Sequence, residues 1–155
     1  MKTSVASTDR IVTEQTTGID AGLLLLRIGA GASLLLMFGI PKIRDSMHAI
    51  QTVHPWSFVE FNRKLGLPFP SFVAYCQTLN ESVGASFVAV GLLSRVASGA
   101  LALGFLVATC CSLKAHESAW MLASGYCLMF ATLLLAGPGK FSIDRLLKSH
   151  DKSNT

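Results

Sequence analysis

Arg27 and Glu81 are the two charged residues whose positions point most directly to chemistry, because each interrupts an apolar run. Arg27 stands within residues 21–40, and Glu81 is the one charged residue between positions 65 and 94. A charge at membrane depth costs at least about 2.5 kcal/mol, so such side chains usually face a helix bundle and find a partner. If both helices begin at one membrane face, their levels differ by about 9 Å at a rise of about 1.5 Å per residue. The spacing therefore predicts that Arg27 meets Glu81.

This Arg27–Glu81 pair has a structural and a functional interpretation. In the structural one it is a buried ion pair, or Arg27 extends to the headgroups and leaves Glu81 protonated. In the functional one Glu81 exchanges protons, or binds a quinone carbonyl or another polar ligand inside the bundle. The pattern leaves both interpretations open and assigns the two residues to one polar site in the bundle, catalytic or ligand-binding.

Three of the four cysteines form a second group. Cys76 lies near the outer end of the second apolar run, and Cys110 and Cys111 lie near the outer end of the third. At similar depth in an oxidising compartment they would permit a disulfide or a thiol relay. The alternative is that cysteine is a small apolar residue suited to helix contacts.

Other polar motifs are weaker. Lys114, His116 and Glu117 could bind an anion or a partner, or relay protons, but charged residues are also what a short loop needs to stay in water. The sequence has no HExxH, paired CxxC or phosphate-binding glycine loop, so it predicts no metal and no nucleotide cofactor. An aromatic and basic pattern typical of nucleic-acid binding is also missing.

The elements that must position these residues are apolar helices. The chain is 51% hydrophobic and only 14% charged, below the quarter typical of soluble domains. Its runs at 21–40, 71–93, 96–113 and 118–136 approach the roughly 20 residues that span a bilayer. They are apolar all round, which argues against a soluble bundle. Short connections favour antiparallel neighbours, so we predict an all-α integral membrane four-helix up-down bundle.

The flanking segments complete the predicted organisation. Residues 1–20 form a polar tail, 21–147 the transmembrane domain and 148–155 a second polar tail. The connection from Pro41 to Pro70 predicts an amphipathic, turn-rich interfacial loop, with a lid or docking surface as the alternative.

Orientation is predicted from the basic residues beside each membrane face. Seven lie on the side of both termini and five on the other, which favours cytoplasmic termini in an inner membrane. The first set is Lys2, Arg10, Arg95, Lys140, Arg145, Lys148 and Lys152, and the second is Lys42, Arg44, Arg63, Lys64 and Lys114.

Within this framework the residues from about 21 to 147 resemble the DoxX family of small four-helix bacterial membrane proteins. The most specific parts are the segment from Glu81 to Arg95 and the closing GPGKFSID. The residues that carry the resemblance are Leu26, Arg27, Gly39, Lys42, Leu65, Gly66, Leu67, Pro68, Pro70, Glu81, Gly84, Gly91, Leu92, Arg95, Gly137, Pro138, Gly139 and Asp144. One position departs from the family, because Phe38 precedes Gly39 where members often carry a histidine.

The resemblance implies a membrane subunit or anchor of a quinone-linked or thiol-linked redox complex. Its partners would be the lipid bilayer and a soluble oxidoreductase, and the cofactor stays open, with a quinone as the candidate. Any enzymatic role would be that of an accessory subunit. Two alternatives remain: a small-solute transporter, for which a homodimer could enclose the path, and a scaffold without catalysis.

Overall fold

The computed structural model describes residues 2–52, 54–137, 139 and 142–144, with side chains from Gly18 onward. All its regular elements within these residues are helical. They are α1 (Lys2–Leu34), a π-helical turn π1 (Leu35–Gly39), α2 (Ile40–Thr52), α3 (Ser57–Lys64), α4 (Pro70–Leu79), a second π-helical turn π2 (Asn80–Gly84), α5 (Ala85–Val90), α6 (Ser94–Lys114) and α7 (Ala119–Ala136).

Three of the described helical stretches are long and apolar enough to cross a membrane: Gly18–Thr52, Ser94–Lys114 and Ala119–Ala136. Most of their apolar side chains face outward, as lipid contact requires, and these include Leu25, Leu36, Val96, Leu103, Leu128 and Leu135. The predicted second span is helical from Pro70 to Val90, but it is not one of these three. Its middle carries Gln77, Asn80 and Glu81.

The first predicted span does not end at Ile40, because α1, π1 and α2 form one continuous helix to Thr52. Pro41 lies inside this helix without ending it. A proline normally clashes with the carbonyl four residues earlier and leaves that group without a hydrogen bond. Here the preceding turn is π-helical, with the Ile40 amide donating to the Leu35 carbonyl five residues back. The wider turn accommodates the proline, so the helix continues through Lys42 to Thr52.

The turn-rich character predicted for residues 41–70 is therefore wrong. Most of this connection is helical, in α2 and α3. Trp56 is buried before α3, with its ring centroid 5.6 Å from that of Phe58 and 5.2 Å from that of Tyr75 on α4. These contacts fix α3 against α4.

Residues 85–91 pack antiparallel along α1 through a close backbone approach. A Cβ on Gly31 would lie 2.8 Å from the Ala85 carbonyl oxygen and 2.9 Å from the Ala89 Cβ. Helices in lipid associate through such small residues, since there is little hydrophobic force between them. Gly31 thus fixes the register of the two helices, whereas a Cβ on Gly29 would meet nothing within 4 Å.

An aromatic core holds α6 against α7. Phe105 stacks on Tyr126 at 5.2 Å and on Phe130 at 6.1 Å between ring centroids. The Tyr126 hydroxyl donates to the Ser33 hydroxyl of α1 at 3.2 Å. Aromatic stacking adds to the burial of each ring, so this layer ties three helices together.

Candidate functional site: an ion pair in an aromatic cavity

Glu81 is buried and its carboxylate is paired with Lys42. The Lys42 Nζ lies 2.6 Å from the Glu81 Oε2, with 17% of the lysine side chain and 3% of the glutamate side chain exposed. The same ammonium lies 3.9 Å from the ring centroid of Phe58 and 5.8 Å from that of Phe38. A carboxylate and an aromatic face both attract a cation, so they stabilise the lysine charge away from water.

Both π-helical turns lie at this pair. Gly39 closes π1, and Glu81 belongs to π2. The turns are in contact, since a Cβ on Gly39 would lie 3.2 Å from the Ser82 Oγ and 3.3 Å from the Glu81 carbonyl oxygen. Single π-helical turns inside helices often mark functional sites. A side chain at position 39, three residues before Lys42, would press against π2, the turn that carries Glu81.

The ion pair opens onto a cavity of about 650 Å³. This volume is in the range of small-molecule sites, which are mostly apolar with a few polar groups that fix orientation. Aromatic rings form much of the wall: Phe38, Phe58, Phe61, Phe72, Phe105 and Tyr126. The polar side chains on the wall are those of Lys42, Asn62, Gln77, Asn80, Glu81 and Ser112, with Tyr126 adding its hydroxyl.

Asn80 connects the cavity wall to α6. Its side-chain amide donates to the Ala100 carbonyl at 3.1 Å. A Cβ on Gly104 would lie 3.1 Å from the same nitrogen, so Ala100 and Gly104 leave room for the amide. Gly84 also lies close to the Asn80 side chain, because a Cβ on this glycine would lie 3.1 Å from the Asn80 Oδ1. This places a family-motif glycine beside the polar side chain that precedes Glu81.

Arg27 is not the partner of Glu81, so the predicted pairing is wrong. Arg27 is buried at the level of Gly91, where a Cβ would lie 2.9 Å from its Cζ. Gly91 follows Glu81 by ten residues, which is about 15 Å along a helix at a rise of about 1.5 Å per residue. The prediction assumed helices that begin at one level. The Gly31 contact instead sets a register in which Lys42 lies beside Glu81.

Arg27 belongs to a second group, the end clasp, formed with Gly91 and Asp144. The Asp144 carboxylate accepts hydrogen bonds from the backbone amides of Leu93 (2.7 Å) and Ser94 (2.9 Å), and its own amide donates to the Gly91 carbonyl. It thereby satisfies amides at the start of α6 that lack partners inside the helix. Asp144 also acts electrostatically on Arg27.

The other described motif residues do not belong to the ion pair. Gly137 lies against Arg95, since a Cβ on the glycine would be 3.1 Å from the Arg95 Nη2, so the glycine leaves space for the guanidinium. Gly139 lies near Asp20 of α1, since a Cβ there would be 3.5 Å from the carboxylate Oδ1. Gly66 has a positive φ in the turn after α3, and Pro68 lies exposed before α4. Pro138 lies outside the described residues.

The cysteines divide between the cavity and other surfaces. All four are free thiols. Cys76 lines the cavity, whereas Cys127 donates to the Ala102 carbonyl at 3.4 Å. Cys110 is exposed and Cys111 is half-buried on α6. The relay between Cys76, Cys110 and Cys111 stays a prediction, as does a role for the exposed Lys114, His116 and Glu117.

Lys42 was expected only as a motif residue, and Asn62, Gln77 and Asn80 were not predicted as cavity residues. A signal was present for α3, where Phe58, Phe61, Asn62 and Leu65 recur at the spacing of one helix face. All four line the cavity.

Comparison with known proteins gives one finding. The family model described as DoxX matches residues 22–117 of this chain. The match includes α3 and the ion pair, but it ends before GPGKFSID. No curated protein and no solved structure matches the chain.

Proposed function

Since the chain belongs to the DoxX family, we propose that it is a membrane subunit of a redox complex whose aromatic cavity binds a quinone. The observation that carries the proposal is the Lys42–Glu81 ion pair on the wall of a 650 Å³ cavity. A quinone is a planar ring with two carbonyl oxygens on an apolar tail. Aromatic walls suit the ring, and a charged donor suits a carbonyl.

The ion pair has the groups that quinone reduction needs. A quinone becomes a quinol when it takes up two electrons and two protons, and negative charge develops on its oxygens. The Lys42 ammonium has three donors, and Glu81 engages one. A donor fixed near a developing oxyanion stabilises it. In this proposal Lys42 holds the carbonyl, and Glu81 carries the protons taken from water.

The two electrons would come from a soluble oxidoreductase bound at the membrane surface. This partner belongs to the proposal because the resemblance to DoxX proteins implies it. The chain would act as its anchor and supply the quinone site, which makes it an accessory subunit. A thiol-linked version of the same role would use Cys76, the cysteine on the cavity wall.

We also propose that residues 70–90 form the fourth crossing of an up-down bundle, with both termini in the cytoplasm of a bacterial inner membrane. The antiparallel contacts of Gly31 with Ala85 and of Gly39 with Ser82 support this topology. Polar residues in the middle of such a span are tolerated when they face a cavity. Reporter fusions at Ser149 and near Ala49 test it, because they should report opposite sides.

The function is tested by purifying the protein from its native membranes in mild detergent. Mass spectrometry should identify a soluble oxidoreductase and a quinone in the preparation. The Glu81→Gln variant should still bring down the oxidoreductase but should lose coupled quinone reduction. If the variant is expressed normally and keeps both quinone reduction and solute uptake, a scaffold role replaces the proposal. A lone protein or homodimer without quinone would instead direct the next assay to transport.

A further inference from the structure

Asn62 is the polar residue on the cavity-facing side of α3. Phe58, Phe61 and Leu65 share this side, while Arg63 and Lys64 face outward and Arg63 pairs with Glu60. Asparagine is a poor choice for a face that is otherwise apolar, because burying an amide without hydrogen bonds is unfavourable. Its presence there calls for a partner.

The side-chain nitrogen of Asn62 has no such partner among the described residues. Asn62 is only 1% exposed. A buried donor left without a partner destabilises the folded protein, because it loses its hydrogen bonds to water and gains none in return. Two other polar side chains at the cavity differ in this respect: Lys42 donates to Glu81, and Asn80 donates to a backbone carbonyl.

We infer that Asn62 is a binding residue that donates to a carbonyl oxygen of the cavity ligand. This inference rests on the proposed function and deepens it, because it names the group that tells a quinone from a lipid tail. A lipid chain would fill the same apolar walls without an acceptor for the amide. A cyclic carbonyl compound would satisfy it, with the Lys42 ammonium available on the α2 side of the cavity.

The position of Asn62 also determines how the ligand is retained. Asn62 lies in the last turn and a half of α3, and Trp56 anchors the start of that helix between Phe58 and Tyr75. The ligand would therefore contact both the long α1–α2 helix through Lys42 and the separate helix α3 through Asn62. A site built from two such elements recognises a molecule with polar atoms at a fixed separation.

The experiment measures binding of two probes to the full-length protein in detergent. One is a short-chain benzoquinone, and the other is an alkylbenzene of similar size without carbonyls. Trp56 serves as the fluorescent reporter in a Trp120→Phe background, since the chain has two tryptophans. In this background the quinone should bind more than about tenfold more tightly than the alkylbenzene, because one good hydrogen bond contributes about tenfold and both Asn62 and Lys42 would donate to the quinone.

The Asn62→Leu variant removes the amide, and Asn62→Asp keeps its shape while replacing the donor with an acceptor. Either should bind the quinone about tenfold more weakly and bind the alkylbenzene as before. Ser98→Ala is the matched control. Its hydroxyl is also buried with no partner in the described residues, but Ser98 does not line the cavity.

The outcomes separate the inference from the function. Unchanged quinone affinity in a folded Asn62→Leu or Asn62→Asp protein overturns the role of Asn62 and leaves the quinone site standing. Equal loss in Ser98→Ala also overturns it, because the effect would then not be local. If the background protein binds neither probe, or binds both equally, the quinone proposal itself fails and the inference fails with it.

Discussion

Among the described residues, one continuous helix carries the buried Arg27 and the half-buried Lys42, and the surroundings of these two cations differ. Lys42 lies on the wall of a large cavity and contacts a carboxylate and aromatic rings. Arg27 lies in the end clasp, where it packs on Gly91 and interacts electrostatically with Asp144. The Asp144 carboxylate also accepts hydrogen bonds from backbone amides at the start of α6. The ion pair adjoins space for a ligand, whereas the clasp joins the start of α6 to the segment after α7.

The comparison indicates that a buried charge does not by itself identify a functional site. Both cations are costly to bury, and both have an acidic neighbour. What distinguishes Lys42 is unfilled volume beside it and two π-helical turns around it. Arg27 instead lies where two helices and a terminal segment meet. Motif residues occur in both groups. Gly39, Lys42 and Glu81 lie at the ion pair, whereas Arg27, Gly91 and Asp144 form the clasp.

The largest expected effect comes from replacing one residue of the ion pair, which leaves the other charge without a partner. Lys42→Met or Glu81→Met should each lower the free energy of unfolding by about 3 kcal/mol, because an uncompensated buried charge remains. The double variant should recover most of that loss and still fail to bind quinone. Chemical unfolding in mixed micelles measures the cycle. Additive losses in the double variant would contradict a direct pair.

The second effect concerns the register that keeps the two cations with different partners. Gly31→Ala should lower the free energy of unfolding by about 1–3 kcal/mol, because its methyl group would overlap the Ala85 carbonyl. Gly29→Ala is the matched control two residues away, since its methyl group would meet nothing within 4 Å. Thermal unfolding of both variants in one detergent measures the difference. Equal stability would show that the helices do not pack through Gly31.

The third effect tests whether the clasp is only structural. Asp144→Ala should lower the free energy of unfolding by about 1 kcal/mol, the usual cost of a lost helix cap. Quinone affinity should stay unchanged, whereas the double variant of the ion pair should fail to bind quinone. Asp45→Ala, at an exposed position of α2, controls for loss of a negative charge. A loss of quinone affinity in Asp144→Ala would mean that the two regions are coupled.

The smallest effect distinguishes a quinone-linked site from a thiol-linked one. Cys76→Ser should change the free energy of unfolding by no more than about 0.5 kcal/mol, as for most substitutions away from a packed core. Coupled quinone reduction should also persist. Abolished reduction, with quinone binding and partner association intact, would assign the chemistry to the thiol instead.

Much of the fold follows from local pattern. The long apolar runs predicted the three span-length helices, and the prediction is confirmed at 96–113 and 118–136 to within a few residues. The first was predicted too short, because Pro41 reads locally as a helix end. A π-helical turn depends on contacts with a distant segment, here Gly39 against Ser82, so hydropathy does not reveal it. The four-crossing topology stays a prediction.

The sequence by itself determined that this is a helical membrane protein of the DoxX family with rare charges in apolar surroundings. These properties depend on composition and on spacing along one helix. The tertiary structure decided that Glu81 pairs with Lys42, that Arg27 joins Asp144 at the end clasp, and that Asn62 lines a cavity. Partner choice depends on the relative shift of packed helices. A shift of a few residues changes which side chains meet, and the close approach at Gly31 fixes that shift.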